Sequence, residues 1–77
     1  MTENYSVSNH PKDYVGKRAL LETLWAVGLS WQLGEYQILE VSPSMQYTKI
    51  RGLSGYTYWI ESSNIRIVEI LPPEPEQ

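Results

Sequence analysis

The rhythm of hydrophobic and polar positions changes partway along the chain. Over residues 17–27, Leu20, Leu21, Leu24, Trp25 and Val27 recur at offsets of three and four, and Gly28 follows. That spacing lines one face of a helix, most of the residues are strong helix formers, and glycine commonly ends helices, so the pattern predicts a short helix or helical loop. The competing reading of the same stretch is a strand followed by an irregular loop. From Gly34 the period drops to two. Residues 36–41, 46–51, 56–61 and 65–71 are rich in aromatic and β-branched side chains, separated by Ser42-Pro43-Ser44, Gly52-Leu53-Ser54-Gly55 and Ser62-Ser63-Asn64. Four short strands with tight connections predict an antiparallel β-meander and a mainly β fold.

These strands carry apolar residues on both faces. Leu39 and Val41 alternate with Ile38 and Tyr36, and Tyr56, Tyr58 and Ile60 alternate with Thr57 and Trp59. A one-sided sheet does not need both sets. The candidate cover for the second face is the segment 20–29, and the alternative is weak self-association.

Both ends break the pattern. Residues 1–16 hold isolated Tyr5, Val7, Tyr14 and Val15 among polar residues, which reads as a flexible arm. Pro72-Pro73-Glu74-Pro75-Glu76-Gln77 lacks the amide donors a sheet needs and reads as an acidic, extended tail. A single domain over residues 17–71 remains.

Composition narrows the picture further. A chain of 77 residues has room for one core, and it contains no cysteine for disulfides or thiolate metal ligands. His10 is the one histidine, in a polar stretch beside Pro11, so no metal site is expected. The net charge is −3, but within residues 17–71 Lys17, Arg18, Lys49, Arg51 and Arg66 balance Glu22, Glu35, Glu40, Glu61 and Glu69. Bulk charge therefore argues against a nucleic-acid binder, leaving only a local basic patch for that role. Without a run of roughly 18 apolar residues, a membrane span is not expected and a cytoplasmic location is.

Two runs resemble the SH3 family. Leu29-Ser30-Trp31-Gln32-Leu33-Gly34-Glu35 is similar to the Leu-Ser-Phe-x-x-Gly-Asp/Glu run leading into that family's second strand. Ile60-Glu61-Ser62-Ser63-Asn64-Ile65 resembles its Ile-Pro-Ser-Asn-Tyr-Val, a short helical turn between the last two strands. Ala19-Leu20-Leu21-Glu22-Thr23 faintly echoes Ala-Leu-Tyr-Asp-Tyr. The resemblance covers about residues 29–71 and implies a small SH3-like barrel. It does not extend to the proline-peptide groove: where that family places Pro and Tyr this chain has Glu61 and Asn64, and where it places a tryptophan pair this chain has Gln46 and Tyr47.

The chain lacks a recognisable catalytic constellation. Gly-Leu-Ser-Gly-Tyr around Ser54 falls one residue short of a nucleophile elbow and has no base nearby in sequence. Gly52 and Gly55 lack the lysine and following helix of a phosphate loop and read as turn residues. No enzymatic activity and no cofactor are expected. Binding is the expected role. If Ile50 points inward, alternation sends Tyr47, Lys49 and Arg51 to the opposite face, where Trp59 of the next strand joins them. Tryptophan, tyrosine and arginine dominate interface energetics, and aromatics flanked by bases also stack nucleobases. The expected role is thus a non-enzymatic interaction or adaptor module, a small accessory protein whose partner is another protein. A nucleic-acid binder and a structural subunit of an oligomer are the alternatives. The plainer reading of Trp59 is that it packs beneath residues 17–27; Trp25 and Trp31, set among leucines, are expected in the core.

Overall fold

The structure, a computed structural model, describes residues 10–25 and 30–73. The segment expected to be helical is instead a strand, β1 (Arg18–Leu24). Its burial alternates: Ala19, Leu21 and Thr23 are fully buried, and Arg18, Leu20, Glu22 and Leu24 between them are half-buried. The three-and-four spacing of Leu20, Leu21 and Leu24 is therefore split between two faces. An isolated helix shorter than about 12–15 residues is marginal in water. As a strand the same residues gain hydrogen-bonded neighbours on both edges, β2 on one side and β5 on the other. Tertiary pairing outweighs helix propensity here. Val27 and Gly28, the expected helix end, lie outside the described residues.

β2 (Trp31–Val41) starts earlier than the alternation at residue 36 suggested. Its first part pairs with β1 and its second with β3 (Tyr47–Gly52), with overlap around Tyr36 and Gln37. The register shifts between Ile38 and Glu40, leaving Leu39 as the extra residue. A bulge of this kind bends and twists its strand, and it also breaks the alternation, which accounts for the two-sided apolar pattern of residues 36–41. β4 (Thr57–Glu61) completes the run of hairpins.

The expected meander ends there. A 3₁₀ turn at Ser62–Asn64 takes the chain to β5 (Ile65–Ile70), which pairs with β1 rather than with β4. The strand order is β4-β3-β2-β1-β5, antiparallel throughout, in one unclosed sheet. β1 thus supplies the partner of β5 within the sheet, and residues 26–29 of the expected cover lie outside the described residues.

Ala19, Leu21, Ile38, Ile50, Ile60 and Ile65 form one buried cluster drawn from all five strands, so the sheet rolls around a single core. Thr23 and Thr48 are also fully buried. The Thr48 hydroxyl lies 2.7 Å from that of Ser62. That hydrogen bond offsets the cost of burying the hydroxyl and ties β3 to the 3₁₀ turn.

Part of the expected N-terminal arm belongs to this body. Pro11–Tyr14 is a 3₁₀ turn whose entry is capped by His10 Nδ1, which accepts the Lys12 N–H at 3.1 Å. Pro11 is buried and Tyr14 packs against the core. The Gly16 N–H donates to the Ile38 carbonyl at 2.7 Å, fastening this segment beside the β2 bulge. Residues 1–9 and 74–77 lie outside the described residues. No helix among the described residues is long and apolar enough to cross a membrane.

Candidate binding face on β3 and β4

The β3–β4 turn fixes the register on which the candidate site depends. Gly55, at φ 96°, adopts a conformation that side-chain-bearing residues avoid. Its N–H donates to the Gly52 carbonyl, and the Gly52 N–H donates to the Tyr56 carbonyl, both at 3.0 Å. The resulting ladder pairs Arg51 with Thr57, Lys49 with Trp59 and Tyr47 with Glu61. The far end is held by Ser42, whose hydroxyl accepts the Tyr47 N–H at 3.1 Å, and by the Ser62 N–H, which donates to the Gln46 carbonyl at 2.8 Å.

Thr48 and Ile50 are fully buried, so alternation sends Tyr47, Lys49 and Arg51 outward. All four residues singled out in the sequence share this outer face. Trp59 is 49% exposed and Tyr47 45%. Lys49 Nζ stands 5.9 Å from the centroid of the Trp59 ring, within cation–π range. Arg51 donates through Nη2 to Gln37 Oε1 at 3.3 Å. Trp59 does not lie beneath β1: it stands about half exposed on the outer face beside Lys49, while its neighbour Tyr58 is the β4 residue that turns toward the end of β1. The face is not simply basic: Glu40 pairs with Lys49 across β2–β3, and Glu61 stands opposite Tyr47.

The other two tryptophans separate. Trp31 pairs with Leu24 on the outer side of β1–β2, and the guanidinium of Arg66 covers its ring at 3.8 Å. Its expected place in the core is therefore corrected: the parity of β2 points it outward, and a cation takes its face. Arg66 also lies 3.6 Å from Glu22. Trp25 does pack against the core, meeting Tyr58 edge to face at 5.6 Å between ring centroids and 68° between planes.

Sequence reasoning missed one feature. Trp25, Tyr36 and Tyr58 line a cleft of about 440 Å³ between the end of β1 and the β3–β4 turn. Tyr36 lies against two glycines, Gly34 two residues before it in β2 and Gly52 opposite it in β3. A Cβ on Gly34 would fall 3.0 Å from Tyr36 Cε2, and one on Gly52 would fall 3.7 Å from Cε1. The sequence carries no clear signal of it: Gly34 stands at the change of period and Gly52 in a turn run, and only the fold places both inside strands, where glycine often marks a close approach by another group. A second concavity of about 570 Å³ lies beside the Ser62–Asn64 turn, where His10, Gln46, Glu61 and Ser62 give it a polar wall.

Comparison with known proteins returns no match to this chain, whether by family model, by curated protein or by solved structure.

Proposed function

We propose that this chain is a non-enzymatic protein-interaction module with an SH3-like small barrel, and that its partner docks on the outer face of β3 and β4. The strand order β4-β3-β2-β1-β5 and the 3₁₀ turn before β5 support the barrel reading. One observation carries the functional reading: Lys49 and Trp59 are direct cross-strand partners, flanked by Tyr47 and Arg51, and both aromatic rings are about half exposed. An exposed tryptophan and tyrosine beside an arginine have the composition of an interface centre. Such a module holds its partner by desolvating the two rings, while Lys49 and Arg51 orient it through charge-assisted hydrogen bonds.

Glu40 and Glu61 favour protein over nucleic acid as the partner. Each places a carboxylate on the same face as the two bases, where it would repel a phosphate backbone. The test is affinity capture from the source cell with wild-type and Trp59→Ala protein, with identification of whatever is bound. A protein captured by the wild type and lost with a still-folded Trp59→Ala supports the reading. Recovery of nucleic acid whose binding weakens steeply with salt overturns it in favour of the nucleic-acid alternative.

The reading also separates this module from proline-peptide binders. Flat aromatic walls hold a polyproline helix, and the turn beside β5 offers Glu61 and Asn64 instead. A generic Pro-x-x-Pro peptide is expected to leave the amide resonances of Glu61 and Asn64 unmoved in an NMR titration.

A further inference from the structure

We propose that the cleft bounded by Trp25, Tyr36 and Tyr58 binds an alkylated ammonium group, the chemistry shared by quaternary amines and methylated lysine side chains. The site is separate from the β3–β4 outer face and does not depend on that reading.

The argument begins with the three tryptophans. An aromatic face carries negative potential and attracts cations, most strongly where water is excluded. In this fold two tryptophan rings already hold a cation from the chain itself, Trp59 from Lys49 and Trp31 from Arg66. Trp25 belongs to a different arrangement. The described lining of its cleft contains no lysine or arginine, and its one charged residue is the acid Glu35. The cleft is thus concave, aromatic and without a basic residue of its own in that lining.

Its shape is built rather than incidental. The 68° between Trp25 and Tyr58 makes a corner of two walls instead of a closed stack. Tyr36 supplies a third ring, and the glycines beside it give that ring its room. Neither Gly34 nor Gly52 has a positive φ, so the backbone does not require glycine at these positions. Glycine inside a strand weakens it, and the space gained here is filled by Tyr36. The volume of about 440 Å³ falls within the roughly 300–1,000 Å³ typical of small-molecule sites.

The alkyl groups follow from the scarcity of acceptors. A bare ammonium brings three donors that must find partners once water is removed. Glu35 is engaged with Arg18 through an ion pair, and Arg18 also donates to the Pro72 carbonyl at 2.7 Å. Beyond Glu35, the polar side chains of the lining are Ser54 and the tyrosine hydroxyls. An alkylated ammonium has few or no donors and offers methyl groups to the rings.

The test titrates the full chain with choline and with its neutral carbon isostere, 3,3-dimethylbutanol, at constant ionic strength, following the Trp25 indole N–H and the tyrosine ring signals by NMR. Choline is expected to saturate these shifts and to bind at least about tenfold tighter than the isostere. Nα-acetyl-trimethyllysine methylamide, compared with choline, distinguishes a peptide side chain from a free amine as the source. Tyr58→Phe is expected to keep binding and Tyr58→Leu to lose it, while Leu33→Ala on the outer face changes nothing. Absence of saturable shifts, equal affinity for the isostere, or equal affinity for unmethylated lysine overturns the proposal. A Pro-x-x-Pro peptide that moves the cleft resonances when choline does not would also overturn it.

Discussion

The inner and outer faces of the rolled sheet use the same kinds of residue to opposite ends. Inside, Ile38, Ile50, Leu21 and Ala19 exclude water completely, and the aromatics Trp25, Tyr36 and Tyr58 gather where the core meets the surface. Outside, Tyr47 and Trp59 lie about half exposed among Lys49, Arg51, Glu40 and Glu61. A shift of one residue along β3 would exchange Tyr47 and Lys49 for Thr48 and Ile50. Parity in the strand, not residue type, decides which aromatic serves packing and which stays exposed.

The sharpest way to break this comparison is to damage the inner face. Ile50→Ala removes a fully buried side chain and is expected to cost about 2–5 kcal/mol, a large share of what so small a domain has. A urea unfolding midpoint near that of the wild type would show that the inner face is not a tight core. Gly34→Ala probes the border between the faces. Its new methyl meets Tyr36 at 3.0 Å, so a loss of about 1–3 kcal/mol is expected, together with a change in the Tyr36 ring signals. Thermal melting and NMR read both, and an unmoved Tyr36 would show that the ring has room to spare.

Trp59→Ala sharpens the comparison from the other side. The substitution is expected to leave stability within about 1 kcal/mol while weakening the partner by about 2 kcal/mol or more. Loss of cooperative unfolding would instead make Trp59 part of the packing. The smallest effect concerns self-association. Leu33 and Val68 are 61% and 52% exposed on the same sheet, and weak dimerisation at high concentration is expected from such apolar surface. Sedimentation across a wide concentration range decides it, and a constant monomer mass would defeat it.

How much of this was legible in the sequence depended on how local the signal was. The segments of β2 to β5 could be read because aromatic and β-branched residues alternate between turn residues. The outer patch could be read for the same reason: β3 and β4 are joined by a short turn, and alternation alone brings Lys49 and Trp59 together. β1 was legible only as the competing reading, because Ala19, Leu20, Leu21 and Glu22 suit a helix and only pairing with distant strands makes them extended. The aromatic cleft could not be read, because its rings come from separate segments and converge only when the sheet rolls. The pairing of β5 with β1 was hidden likewise, since nothing near Ile65 names its neighbour.

That last pairing makes entry and exit adjacent. The Leu71 N–H donates to the Arg18 carbonyl at 2.9 Å, so the first and last strands end side by side. A body with this layout is topologically a loop. Joined there by a short linker and reopened at the exposed turn around Ser54, it keeps every strand neighbour in a circularly permuted order, and the same layout suits it to insertion in the surface loop of a larger protein.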